Sequence, residues 1–179
     1  MLTVHATEIS EIYGHGKRFV IWFSGCTLRC EGCSNAYLWE ASSGTPRAVD
    51  EIMNMIASHD EICGVTFIGG EPLEQGTDLL ELSDHILETG LDIVLFTGYE
   101  LHELNELQRD ITEKAVVIIF GRYVESQRDT FLLHRGSRNQ SLVIKDEKLC
   151  PHYNIESRQL EIEITEDREK YLGFPEDFV

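Results

Sequence analysis

In the stretch Arg18-Phe-Val-Ile-Trp-Phe-Ser-Gly-Cys-Thr-Leu-Arg-Cys-Glu-Gly-Cys-Ser-Asn35, an apolar run feeds straight into three cysteines, Cys26, Cys30 and Cys33, spaced C-x3-C-x2-C. Residues 18–24 show almost no alternation of polar and apolar side chains. That is the pattern of a strand buried on both faces, as in a parallel sheet. Three thiols so close together read as a ligand set rather than as three core residues. Zinc usually closes its tetrahedron with a fourth Cys or His, and residues 34–45 contain neither. An iron–sulfur cluster normally takes four thiolates, so three protein ligands leave one iron open to a substrate or cofactor.

Outward from this stretch the same grammar repeats. Residues 2–9 read as a strand paired with residues 17–25 around Gly14-His-Gly16. Thr45 reads as the cap of a helix with Pro46 in its first position and Val49, Ile52, Met53 and Ile56 on its apolar face. Gly64–Gly69 is a strand ending in Gly69-Gly-Glu-Pro72. Leu79, Leu82 and Ile86 mark a helix that stops at Gly90. Residues 92–97 and 115–120 are apolar strands, separated by a short helix on Leu101, Leu104 and Leu107. Apolar runs alternating with amphipathic helices predict an α/β fold with a mostly parallel, curved sheet. About five such units are too few for a closed eight-unit barrel of about 250 residues. The expectation is an incomplete, open (βα) barrel: a single domain over residues 1–179, with a core at about 10–145 and a C-terminal extension at 146–179. Within the extension, Leu160–Ile164 alternates like an edge strand with one wet face.

Composition narrows the partners. The net charge of −17 argues against nucleic acid, whose phosphates need Lys and Arg. No apolar run is long enough to span a membrane, and residues 1–6 lack the basic and apolar regions of a secretion signal. Five cysteines, three of them clustered, do not form a disulfide framework, so a reducing cytoplasm is the expected compartment. Cys63 opens an apolar strand and reads as a core residue, Cys150 precedes Pro151 in a loop, and the two lie too far apart in sequence to form a second ligand cluster. Acidic residues, including Glu161, Glu163, Glu166, Asp167, Glu169, Glu176 and Asp177, concentrate near the end of the chain. Arg18, Arg29, Arg122, Arg128, Arg135 and Arg138 sit in or near the motifs, where an anionic cofactor or an acidic electron donor would dock.

C-x3-C-x2-C followed by Gly69-Gly-Glu-Pro72 resembles the radical S-adenosylmethionine (radical SAM) superfamily. Gly14-His-Gly16, Gly32, Ser34-Asn35, Trp39, Thr97-Gly98-Tyr99, Gly121-Arg122 and Arg135-Gly-Ser-Arg-Asn-Gln140 resemble its anaerobic ribonucleotide reductase activase branch, over about residues 10–145. Glu31 and Phe120 depart from that branch, which often has proline and aspartate there. The resemblance implies a [4Fe–4S] cluster on Cys26, Cys30 and Cys33, with S-adenosylmethionine on the fourth iron. It implies reductive cleavage of that cofactor and a glycyl radical on a partner, the large subunit of the reductase. It also implies a reduced flavodoxin or ferredoxin-type electron donor.

For the cofactor, the resemblance points to Gly32 and Ser34 beside the last cysteine and to Gly69 and Gly70, whose lack of Cβ lets a ligand approach. Glu71, counted with them as cofactor-binding, either accepts a local hydrogen bond or only caps the next helix. Thr97 either bonds the cofactor or simply ends its strand, and Arg122 either pairs with the cofactor carboxylate or is a surface arginine. Two other readings stand at this point. One is a small radical SAM enzyme acting on another glycyl radical enzyme, a ribosomal peptide or a small molecule. The other is a non-catalytic iron–sulfur electron carrier.

Overall fold

A computed structural model describes residues 1–153, 160–164 and 169–173. Seven strands form one mixed sheet: β1 (Leu2–Ser10), β2 (Arg18–Phe23), β3 (Thr45–Arg47), β4 (Gly64–Gly69), β5 (Asp92–Thr97), β6 (Val117–Phe120) and β7 (Ser141–Ile144). Their spatial order is β3-β1-β2-β4-β5-β6-β7. The centre, β2-β4-β5-β6, is parallel throughout. β1, β3 and β7 add antiparallel strands at the flanks. Helix α1 (Val49–Ala57) leads into β4, α2 (Thr77–Glu88) joins β4 to β5, and α3 (Glu106–Lys114) joins β5 to β6. This is the α/β arrangement expected from the repeat of apolar runs and amphipathic helices, with β3 and β7 as open edges.

The parallel strands are buried on both faces, and the two faces differ. Phe19, Ile21, Phe23, Val65, Phe67, Ile93, Leu95, Ile118 and Phe120 pack in one core with Ile52 and Ile56 of α1, Leu79, Leu82 and Ile86 of α2, and Ile111 of α3. The side chains between them face the other way. There Val94, Val117 and Ile119 pack with Leu133 and with Tyr153 of a short helix α4 (Cys150–Tyr153). The three longer helices α1, α2 and α3 therefore cover one face, and the other face carries α4 and the cavity described below.

The helix ends follow local chemistry. α2 stops at Thr89, followed by Gly90 at φ +83, the left-handed conformation a glycine adopts without strain. α3 opens with a capping box in which Asn105 and Gln108 satisfy each other's backbone N–H. That box sets its start at Glu106, so the helix expected on Leu101, Leu104 and Leu107 begins only after the first two of them. Leu104 is buried and Leu101 is exposed. The reading of Thr45 and Pro46 is corrected more fully. Both belong to β3, which pairs with Leu2–Val4. Pro46 sits in an edge strand, where its missing N–H costs no ladder bond. α1 starts after Ala48, with no side-chain cap.

Two other expectations change. Cys63 is exposed rather than in the core; its thiol meets the carbonyls of His15 at 3.2 Å and Lys17 at 3.3 Å. Leu160–Ile164 is a strand, β8, but it pairs with β9 (Glu169–Gly173) in a separate two-stranded antiparallel sheet. That hairpin leans on the start of the chain: Ser10 Oγ donates to Glu161 at 2.5 Å, and Gly173 N donates to the Tyr13 hydroxyl at 3.2 Å. Glu166, Asp167, Glu176 and Asp177 of the acidic tail lie outside the described residues.

At the opposite end of β2 from the cysteines, Arg18 is fully buried. Its guanidinium meets Asp92 at 2.6 Å, Thr66 Oγ1 at 2.8 Å and the carbonyl of Val65 at 2.8 Å. Asp92 also accepts from His15 Nε2 at 2.8 Å. Burial pushes the Asp92 carboxyl up, but the His15 and Arg18 contacts outweigh it and hold the group below its ordinary value.

Candidate active site

Ligand sites in open α/β sheets form beyond the carboxyl ends of the parallel strands. Four such ends meet here. β2 runs into the cysteine loop, β4 into Gly69-Gly70-Glu71, β5 into Thr97-Gly98, and β6 into Gly121. Cys26, Cys30, Cys33, Ser34, Gly69, Gly70, Glu71 and Thr97 all line one cavity of about 250 Å³. Its floor is apolar, with Trp22, Ile68, Phe96 and Ile119 from the uncovered sheet face, and Tyr13 and His134 at its edge. Of the site residues expected from sequence, Gly32 and Arg122 alone do not line it.

The cysteine loop is held by its surroundings. Gly25 N and Cys26 N donate to the carbonyls of Leu38 and Trp39 at 2.9 and 3.0 Å. Cys33 N donates to the Cys30 carbonyl at 3.2 Å. Gly32 adopts φ +74, the left-handed conformation that favours glycine, and a Cβ there would displace the exposed Glu125 side chain. Burial pushes the Cys26 and Cys30 thiols up. A bound metal reverses that preference, since a coordinating thiol is deprotonated.

Gly69 and Gly70 have a reason in the protein itself. Gly69 has φ +114, and a Cβ on it would stand 2.5 Å from the backbone nitrogen and oxygen of Phe23. A Cβ on Gly70 would press on the Gly25 carbonyl, its carbon 3.0 Å away. Two hydrogen bonds lock this approach, Gly70 N to Phe23 O and Glu71 N to Gly25 O, both at 2.8 Å. Gly70 lines the cavity as expected, and its missing Cβ also lets the turn lie against the cysteine loop.

Glu71 is fully buried and does both things expected of it. It caps the following turn by accepting from Leu73 N at 3.0 Å, and it accepts from Thr97 Oγ1 and Gly98 N, each at 2.8 Å. Burial pushes its pKa up to about 7 against these three hydrogen bonds. Thr97 therefore gives its proton to Glu71, and its oxygen accepts from Tyr99 N at 3.1 Å. Arg122 pairs with Glu103 at 2.7 Å and lies over the Tyr99 ring. The pairing holds the Glu103 carboxyl down at about 2.

The other motif arginines are mostly engaged too. Arg18 is buried on Asp92, Arg29 pairs with Glu40, and Arg138 with Asp129. In the Arg135–Gln140 segment, Gly136 and Gln140 reach the cavity. The Gln140 amide ties the segment to β6, accepting from Gly136 N and donating to the Gly121 carbonyl, both at 2.8 Å.

Sequence reading missed the apolar floor and two anchors of the cysteine loop, Glu74, which accepts from Thr27 N at 3.0 Å, and Gln75, which donates to the Ser24 carbonyl at 3.0 Å. The floor residues were legible only as alternate positions of strands. The anchors follow Gly69-Gly-Glu-Pro72 immediately, and an acidic and an amide side chain there were the available signal.

Among the described residues, no three Cys, His, Asp or Glu side chains converge on a point as ligands of one ion. Three thiols that line one cavity fit three ligands of an iron–sulfur cluster whose remaining iron stays open to a bound group.

Comparison with known proteins agrees. A family model described as a 4Fe-4S single cluster domain matches residues 12–143. The anaerobic ribonucleoside-triphosphate reductase-activating protein of Escherichia coli (strain K12) is 35% identical over 137 residues, covering 72% of this chain and 89% of that protein. Its namesake from Haemophilus influenzae is 34% identical, covering 78% and 94%. The one from Enterobacteria phage T4 is 34% identical, covering 73% and 86%. Among solved structures, QueE from Escherichia coli aligns with a TM-score of 0.47 at 16% identity over 64% of this chain and 68% of that one, too distant to add to the assignment. At these identities and coverages, the chain belongs to the family of anaerobic ribonucleoside-triphosphate reductase-activating proteins.

Proposed function

We propose that this chain is a radical SAM activase that places a glycyl radical on a partner protein, the large subunit of an anaerobic ribonucleotide reductase. Cys26, Cys30 and Cys33 hold a [4Fe–4S] cluster, and S-adenosylmethionine occupies the cavity beside it. When bound, cluster and cofactor supply one-electron cleavage of a sulfonium C–S bond and hydrogen abstraction from a glycine Cα. A reduced flavodoxin or ferredoxin-type donor supplies the electron. The cytoplasm, where such donors and free thiols persist, is the matching compartment; among the described residues no helix is long and apolar enough to cross a membrane.

The observation that carries this reading is the convergence of three thiols with the ends of β4 and β5 on one cavity. The chain's own residues bind, orient and exclude water. Ser34, Gly69 and Gly70 border the cofactor beside the cluster. Glu71 holds Thr97 and Gly98 in place from beneath, so these two form a fixed wall. Trp22, Ile68, Phe96 and Ile119 give the cavity a dry floor, which protects a reactive species from water.

The test is anaerobic purification followed by iron, sulfide and zinc analysis, then reduction with S-adenosylmethionine. The reading requires sulfide and iron in the ratio of a [4Fe–4S] cluster, and release of methionine and 5′-deoxyadenosine. Stoichiometric zinc without sulfide contradicts it. Cofactor cleavage with no radical on the reductase subunit moves the target to another glycyl radical enzyme, a peptide or a small molecule.

A further inference from the structure

We infer that Glu74 is a positioning residue that sets the place of Cys26 by clamping the residue next to it. The inference rests on the cluster reading above and adds the side chain that orients its first ligand. Glu74 ends the short 3-10 turn Pro72–Glu74 that follows Gly69 and Gly70. Its carboxylate reaches back to the cysteine loop. It accepts from Thr27 N at 3.0 Å and from Thr27 Oγ1 at 2.5 Å, and also from the Tyr99 hydroxyl at 3.0 Å. Thr27 directly follows Cys26.

The neighbours of Glu74 act on the same few residues. Gln75 Nε2 donates to the Ser24 carbonyl at 3.0 Å, while its Oε1 accepts from Thr3 N at 2.8 Å. Glu71 N donates to the Gly25 carbonyl at 2.8 Å. Residues 71–75 thus hold the chain just before and just after Cys26. Cys30 and Cys33 have a different support, a local turn with Cys33 N on Cys30 O and Ala36 N on Cys33 O, each at 3.2 Å. The β4 turn adds a second support to the first ligand, beside the bond from Cys26 N to the Trp39 carbonyl, whereas the other two rest on their own loop.

A carboxylate suits this task because it is acceptor-only and its two oxygens can take all three donors at once. Hydrogen bonds to it are charge-assisted and stronger than neutral ones. Its charge, however, stands near the thiolate of Cys26 and opposes it. A purely electrostatic effect of Glu74 would therefore make its neutral replacements hold the cluster better. A positioning effect makes the outcome depend on the acceptor oxygens, and the two variants Glu74→Gln and Glu74→Ala then separate.

The experiment uses the full chain with its reconstituted cluster and follows iron release to a chelator. The expected result is iron release about tenfold faster or more in Glu74→Ala, the factor that one charge-assisted hydrogen bond is worth. Glu74→Gln, which keeps one acceptor oxygen, restores most of the parent behaviour. Thr27→Val, which removes only the hydroxyl, falls between, and adds nothing in the Glu74→Ala background. In the metal-free chain, amide hydrogen exchange at Thr27 accelerates in Glu74→Ala while the β4 and β5 amides keep their protection. The electron paramagnetic resonance line shape of the reduced cluster shifts in Glu74→Ala and returns in Glu74→Gln.

Thr27→Val carries the test if Glu74→Ala fails to fold. Parent-like iron release in both Glu74→Ala and Thr27→Val, or parent-like Thr27 amide exchange in Glu74→Ala, overturns the inference. So does tighter cluster binding in both Glu74 variants. A parent chain that holds no sulfide instead overturns the cluster reading itself.

Discussion

Adding one methyl group at Gly70 should loosen the cluster loop. Gly70 has no unusual φ, so Gly70→Ala introduces no left-handed strain, and its effect comes from space alone. The new Cβ presses on the Gly25 carbonyl, whose carbon would be 3.0 Å away. The turn after β4 and the loop after β2 must part, and the 2.8 Å bond from Glu71 N to Gly25 O stretches with them. Overpacking of this kind costs about 1–3 kcal/mol, and a weakened backbone hydrogen bond about 1 kcal/mol more. The sum is about 2–4 kcal/mol, or a melting temperature lower by roughly 4–16 °C for a chain of this size. Gly90→Ala is the control: nothing lies within 4 Å of its Cβ, so it pays only for φ +83, about 1–2 kcal/mol. Thermal unfolding of both variants, with iron bound per chain after reconstitution, is the assay. Gly70→Ala should lose both stability and iron, and Gly90→Ala should keep its iron. A Gly70→Ala chain that melts with the parent and holds full iron would refute the claim that this glycine serves a backbone-to-backbone approach.

Three further outcomes are expected. Glu71 ionises at about 7 in the folded chain, above its ordinary 4.5, so the folded state binds more protons between those values. The metal-free chain should then lose stability as pH rises from 4.5 to about 7. Glu71→Gln should flatten that window in urea unfolding followed across pH, and an unchanged slope would contradict it. Asp92→Ala strands the buried guanidinium of Arg18 and should cost about 3–5 kcal/mol by denaturant unfolding. Because Cys63 and Cys150 are both exposed and outside the cavity, Cys63→Ala and Cys150→Ala should leave iron and sulfide per chain at the parent level.

Much of the fold was legible because parallel strands advertise themselves. Gly64–Gly69 and Asp92–Thr97 are bounded in the structure where their apolar runs begin and end. Burial on both faces leaves no polar alternation to confuse the reading. Thr45 and Pro46 were misread because a capping signal is local, whereas their pairing partner Leu2–Val4 is more than 40 residues away in sequence. Cys63 was misread for a similar reason: it precedes an apolar strand, yet stands at the exposed end where His15 and Lys17 offer carbonyls. At the site, the cysteine spacing and the glycine pair were visible as motifs. What the motifs did not say is what each residue touches. Gly70 faces Gly25, Thr97 serves Glu71, and Arg122 serves Glu103, all contacts between loops that only the sheet order brings together. The hairpin of β8 and β9, with Gly173 at the cavity edge, had one legible strand and no legible place.

The central claim is that three cysteines and a β4 turn build a site for radical transfer to a protein glycine. The most direct measurement mixes the anaerobically reconstituted, reduced chain with S-adenosylmethionine and the cognate large reductase subunit, and records electron paramagnetic resonance. The account predicts a glycyl doublet on the subunit, lost when its target glycine is changed to alanine and lost when Cys26, Cys30 or Cys33 is changed to alanine. A preparation that cleaves the cofactor yet leaves no radical on that subunit, or a doublet that survives loss of the cysteines, would contradict it.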